Sequence, residues 1–281
     1  MSFTTWAQLT SKGAIACNIH KTNTVGGVTA SSWVSTATAA GNPPAPPGSG
    51  SAAIPGGTVT GAIPQKGSGT INFPNPKINE NPYIVEASIA NSLGIASGDN
   101  GMIHMLYDKL WHTTIAPFNA LGTITVSGAP SYSDRVGGDF SGTLIILEST
   151  GTTSATATTI TVTYTNQDGV TGRTAMVSPS LATTQTGKWI ILGLQEDDTG
   201  VQAIETIVIG GTVPTNGGMN VAVVKPKMFG VCRESSSARY DVLGYESCNT
   251  KLIGEEALFV ATLCNGTSTG LLNAQFNLVY G

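Results

Sequence analysis

His104, Asp108 and His112 stand four residues apart in the stretch HMLYDKLWH. Two imidazoles and a carboxylate are a metal-ligand set. On a helix they share one face, and the eight residues from first to last span about 12 Å. One ion reaches two neighbours of that set and not all three, so the expectation is a polar helix face rather than a metal centre. Asp134, Arg135 and Asp139 in YSDRVGGDFSG offer two carboxylates beside a guanidinium, the material of an acid–base pair. The glycines around them point instead to a loop salt bridge. GTSTG at 266–270 matches the Gly-x-Ser-x-Gly pattern of a nucleophile elbow. That chemistry needs a histidine after the serine, and His20, His104 and His112 all precede Ser268. TGK at 186–188 lacks the glycine spacing of a phosphate-binding loop. EDD at 196–198 supplies oxygens suited to calcium but without EF-hand spacing, and is expected as a charged hairpin tip. NGT at 265–267 has the form of a glycosylation acceptor, expected to be unused because no secretory signal is evident. The cysteines, Cys17, Cys232, Cys248 and Cys264, contain no Cys-x-x-Cys pair. Cys232 and Cys248 could bridge, and four reduced thiols are the simpler expectation. No catalytic residue, metal site or cofactor is predicted.

The elements that position these residues change character along the chain. Thr4 or Thr5 can cap a short helix with Trp6, Leu9 and Ile15 on its apolar face. Residues 35–79 carry most of the prolines and many glycines without apolar periodicity, which predicts an extended arm or linker. Residues 80–120 read as helical. Asn81 can cap a helix with Pro82 at its first position. Ile103, Leu106, Tyr107, Leu110 and Trp111 then fall at i, i+3, i+4, i+7 and i+8. From 121 the period becomes that of strands, at 121–127, 142–148, 157–165, 170–178, 188–194, 203–209, 219–224, 257–263 and 272–280. Residues 225–256 read as an irregular excursion. The predicted fold class is mainly β. The domains are an N-terminal helix and arm (1–79), a helical segment (80–120) and a β-sandwich or jelly roll (121–281).

The clearest local pattern is ITVTYTNQDGVTGRTAMV, residues 160–177. Ile160, Val162 and Tyr164 can face a core while Thr161, Thr163 and Thr165 face out. Asn166–Gly169 forms the turn, with Gly169 taking positive φ. Gly172 suggests a bulge, which would hold Arg173 near the hairpin. Arg173 is expected as a contact residue or as a cap for Asp134 or Asp139.

LYDKLWH (106–112), SDRVGGDFSG (133–142), LEST (147–150) and YTNQDGVTGRT (164–174), in this order, resemble a group of tailed-bacteriophage virion structural proteins. MSFTTWAQL resembles the start of small phage head-associated proteins. The similarity covers residues 80–180. It implies a component of the phage particle and not an enzyme.

Composition agrees with that implication. Only 11% of residues are charged, against about 25% in an average soluble domain. A free monomer usually carries more charge, whereas a subunit held in an assembly need not. The net charge is -4 and no basic stripe interleaves with aromatics, so no nucleic-acid partner is predicted. No run of about 18 apolar residues is present, so no membrane span is predicted. The expectation is a capsid decoration (cement) protein made in the host bacterial cytoplasm and carried in the virion. It would bind other virion proteins, the major capsid protein first, as a homo-oligomer and by preference a trimer. Trp111, Asp134, Arg135 and Arg173 are the expected interaction residues. A tail-fibre or receptor/glycan-binding module is the alternative. Exposed aromatic platforms for it are not evident at 6% aromatic content.

Overall fold

Short runs of β-branched and aromatic residues, broken by Gly, Asn and Pro, form strands along most of the described chain. The computed structural model describes residues 13–21, 32–37, 41–44, 52–67, 69–92, 102–151, 158–177, 186–212, 217–232, 241–243, 250–264 and 271–281. In chain order the strands are β1 (Ile15–Lys21), β2 (Ser32–Ser35), β3 (Gly41–Asn42), β4 (Ala52–Ala53), β5 (Thr58–Val59), β6 (Pro82–Ser92), β7 (Met102–Ile115), β8 (Gly122–Val126) and β9 (Leu144–Ser149). They continue with β10 (Thr158–Asn166), β11 (Arg173–Val177), β12 (Lys188–Leu192), β13 (Val201–Gly211), β14 (Met219–Cys232), β15 (Asp241–Leu243), β16 (Thr250–Lys251), β17 (Leu258–Cys264) and β18 (Leu271–Tyr280). A short helix, α1 (Ser133–Val136), lies between β8 and β9. The fold class is mainly β, of the β-sandwich or jelly-roll kind, as the strand pattern predicts.

The chain divides into two units, with the boundary inside β7 after Asp108 and inside β14 after Pro226. The first unit comprises Met1–Pro46, Gln65–Asp108 and Lys227–Gly281. Its sheet runs β15-β6-β18-β1-β3, with β16 also on β6. β17 pairs with β2 and with the first half of β7. Its core gathers Ile19, Ile71, Phe73, Ile84, Leu106, Leu252, Val260, Phe276 and Leu278. The second unit comprises Pro47–Pro64 and Lys109–Pro226. Its five-stranded sheet runs β11-β10-β13-β8-β5, and β9 lies between β12 and β14. Ile124, Leu147, Ile160, Val162, Tyr164, Ile207 and Val221 fill its core with Trp111 and Leu110.

Three expectations are corrected. The two helices expected within 80–120 are strands, β6 and β7. Both faces of these strands are buried: Ile84, Val85, Ala87 and Ile89 on β6, and every residue from His104 to Thr113 on β7. A run buried on both faces has no period of two, and its apolar positions fall into helical spacing by coincidence. Pro82 opens a strand, and the Asn81 amide donates to Gly281 O at 2.9 Å.

The second correction concerns the arm. Its described part belongs to the chain's own body. β4 pairs in parallel with β7, β5 pairs in parallel with β8, and Ala62 bridges His112. Ile71 and Phe73 are buried in the first core and Val59 in the second. The third concerns the excursion at 225–256, part of which is strand: β14 continues to Cys232, and β15 and β16 pair with β6. The helix expected at residues 4–15 falls largely outside the described residues, and Ile15 begins β1.

Candidate functional site

The hairpin at 160–177 forms as its alternation dictates. Ile160, Val162 and Tyr164 are fully buried, and Gly169 closes the turn at φ 80°. Arg173 is not paired with Asp134 or Asp139. Its Nε donates to Asp198 Oδ2 at 2.8 Å and its Nη2 donates to Glu196 O at 2.8 Å. Asp198 also accepts from the Tyr164 hydroxyl at 2.6 Å and from Asn166 Nδ2 at 2.7 Å. The Arg173 hydrogen bond, with those from Asn166 and Tyr164, holds the Asp198 carboxyl down at about 2. EDD is therefore a clamp joining the β10–β11 hairpin to the turn before β13. Glu205 adds a second tie, accepting from the Gly172 amide at 3.0 Å and from Thr165 Oγ1 at 2.9 Å.

The clamp fixes the sheet whose outer face carries the threonines. Register aligns Thr174 on β11 with Thr163 on β10, Thr163 with Thr206 on β13, Thr206 with Thr125 on β8, and Thr125 with Thr58 on β5. One row of threonines thus crosses all five strands. The neighbouring row is Met176, Thr161, Val208 and Thr123. Neither row contains a charge. Met176 is 63% exposed, and Val170 at the hairpin turn is 52% exposed.

β7 carries the polar residues first suspected of metal chemistry. On a strand, residues four apart are separated by about 13 Å. Each of the three is engaged separately. His104 Nδ1 bonds Thr262 Oγ1 at 2.9 Å, and its Nε2 is buried without a hydrogen bond. Asp108 accepts from the Ala257 amide at 2.9 Å. His112 is buried with its Nδ1 likewise unbonded. Burial pulls both imidazoles down to about 4, and the Lys109 charge adds to the effect at His112.

A cluster within the second unit has no counterpart among the expected sites. Lys109 Nζ donates to Glu148 Oε2 at 2.8 Å, and both side chains are buried. Asn220, the cross-strand partner of Glu148, donates from Nδ2 to the same oxygen at 3.1 Å. Thr114 Oγ1 donates to Asn220 Oδ1 at 2.6 Å. The signal in the sequence was three polar residues interrupting apolar strands, in LYDKLW, LIILES and MNVAVV. Nothing in the linear spacing shows that they meet.

Of the remaining expected residues, Trp111 and Arg135 are buried. Trp111 is 1% exposed, and its Nε1 donates to Thr60 O at 3.2 Å. Arg135 is buried and donates to Pro64 O at 2.9 Å, while Asp134 is exposed in α1. Asp139 accepts from the Ser141 amide at 3.0 Å, which lowers its carboxyl. TGK is a turn entering β12. Cys17 is buried, and burial raises its thiol. Ser268, the NGT pattern and Cys248 lie outside the described residues, as does the side chain of Cys232. A cleft of about 390 Å³ in the second unit is lined by Pro130, Ser131, Tyr132, Thr165, Gln202 and Ile204, among others.

No family model matches the chain, and no curated protein matches it. Among solved structures, the infectious bursal disease virus VP2 subviral particle is 10% identical at a TM-score of 0.20, covering 96% of this chain and 80% of that one. The structure of the infectious bursal disease virus Gt strain is 12% identical at 0.20, covering 95% and 81%. CsCBM6-3 from Clostridium stercorarium in complex with cellobiose is 16% identical at 0.16, covering 67% and 100%. Likenesses at these TM-scores establish neither fold nor function.

Proposed function

We propose that this chain is a structural component of a tailed-phage virion, a capsid decoration or stabilising protein that acts through subunit contacts and catalyses no turnover reaction. The observation that carries the proposal is the outer face of the five-stranded sheet, where two adjacent rows carry no charge and the neighbouring Glu205 carboxylate is engaged by the Gly172 amide and the Thr165 hydroxyl. Its threonine row is flanked by Val208 and the exposed Met176, and its strands are pinned by the Arg173–Asp198 clamp. Rigid rows without charge lose little solvation when another protein covers them. The 11% charged content and the resemblance of residues 80–180 to virion proteins point the same way. The partners are the major capsid protein and further copies of this chain, by preference in a trimer.

The cleft beside Gln202 supports the second reading, a receptor- or glycan-binding module of a tail fibre. Its Gln202 amide and its Ser131 and Thr165 hydroxyls lie beside apolar walls, a lining that suits a neutral sugar. Copy number separates the two readings, measured by quantitative mass spectrometry of purified virions against the major shell protein. Hundreds of copies support decoration. A handful to a few dozen overturn it and favour the fibre module. A glycan array without hits counts against the fibre.

A further inference from the structure

Lys109, Glu148 and Asn220 converge from β7, β9 and β14 on a single carboxylate oxygen. As an ion pair alone the arrangement is poorly explained. A buried Lys–Glu pair loses about as much in desolvation as it gains in attraction, and apolar residues of similar volume would serve as well. The ion pair also does not account for the amide. Asn220 shares the oxygen that Lys109 holds, and its own carbonyl oxygen receives a 2.6 Å hydrogen bond from Thr114. The side-chain amide orientation is fixed by chemistry, because a carboxylate can only accept and so Nδ2 must face Glu148.

These are the parts of an acyl transfer. The amine is the nucleophile, the carboxamide carbon the electrophile, and the carboxylate a base touching both the attacking and the leaving nitrogen. The Thr114 hydroxyl sits on the oxygen where negative charge develops. We propose that the chain forms an intramolecular isopeptide bond between Lys109 Nζ and Asn220 Cγ, promoted by Glu148.

The steps balance without an oxidant or a co-reactant. Glu148 takes a proton from the Lys109 ammonium, and the freed Nζ lone pair attacks Cγ of Asn220. The tetrahedral intermediate places its charge on Oδ1 under the Thr114 hydroxyl. The Cγ–Nδ2 bond then breaks as Nδ2 takes one proton through Glu148 and leaves as ammonia, which carries off the second proton released from Nζ as ammonium. The new amide N–H remains beside the carboxylate. The reaction occurs once per chain and covalently ties β7 to β14, strands that already pair.

The test is the intact mass of the purified full-length protein, denatured and reduced, followed by peptide mapping. The expected result is a mass lower by one ammonia, about 17 Da, with a linked peptide pair containing Lys109 and Asn220. Trypsin should fail to cut after Lys109. Glu148→Gln and Asn220→Ala should each show the unaltered mass and restore that cut. A wild-type chain of unaltered mass without the linked pair overturns the proposal. So does an ammonia loss that maps elsewhere. A linked pair that persists in Glu148→Gln overturns the role of Glu148. If a variant fails to fold, the wild-type peptide map still decides.

Discussion

At the residue scale, single charged groups settle which local structures survive acid. His104 and His112 are held neutral at about 4 by burial, against an ordinary value near 6.5. The folded state resists the proton that the unfolded state accepts. The stability from neutral burial is therefore complete above about pH 6.5 and falls as pH drops from there toward 4, by on the order of 3 kcal/mol per histidine. His104 faces only the Thr262 hydroxyl among its hydrogen-bond partners, whereas His112 also feels Lys109 and Glu148. His104→Gln should flatten the thermal midpoint between pH 6.5 and 4 relative to wild type; an unchanged slope would assign the acid sensitivity elsewhere. Asp198 has the same sign in a lower window, because its folded carboxyl also binds its proton less readily than the unfolded one. Its carboxyl is depressed to about 2, first by Arg173, so the clamp persists above its unfolded value and is lost only as pH falls through about 2. Asp198→Ala strips the acceptor from Arg173, Tyr164 and Asn166 together. It should lower the melting temperature by several degrees at neutral pH, the effect of about 1–2 kcal/mol of lost hydrogen bonding, as read by calorimetry.

At the element scale, legibility followed the number of buried faces. β8, β10, β11 and β13 bury one face, so Ile160, Val162 and Tyr164 alternate with threonines and their positions could be read within a few residues. β6 and β7 bury both faces, lose that alternation and imitated helices. The proline-rich stretch was opaque for a different reason. Short parallel pairings such as Thr58↔Thr125 leave no periodic trace, because two residues are too few to show one. The clamp was half legible: a fixed Arg173 was expected, but its partner lay on a turn 25 residues away. The Lys109–Glu148–Asn220 cluster depends on three strands meeting, which no local pattern records. The described part of the 35–79 stretch acts as core material, and this is testable at Phe73. Its ring is buried in the first unit, with Lys66 Nζ 4.3 Å above it. Phe73→Ala should destabilise by about 3–5 kcal/mol in chemical denaturation. A change below about 0.5 kcal/mol would return the segment to the status of a dispensable arm.

At the scale of the whole molecule, the question is what a chain with so few charges does with its surface. Its buried charges are committed inside: Glu148 with Lys109, and Glu256 with the Ile253 and Gly254 amides. Two adjacent rows on the sheet of the second unit are left as hydroxyls, methyls and the Met176 thioether. Threonine contributes a methyl that packs and a hydroxyl that finds a partner on either side of an interface, so the same row tolerates water before assembly and protein after it. A lysine there tests the idea without touching the core. Thr125 and Thr174 are exposed on β8 and β11, at two positions of one row. Thr125→Lys with Thr174→Lys should leave the melting temperature of the isolated chain nearly unchanged, as surface substitutions usually do. The same pair should reduce occupancy on particles by tenfold or more, because an ammonium caught in an apolar contact must be desolvated without a partner. Occupancy measured by quantitative mass spectrometry on reconstituted particles reads the effect. If occupancy holds while the fold is intact, the threonine face is not the contact, and the search moves to the second unit's cleft beside Gln202.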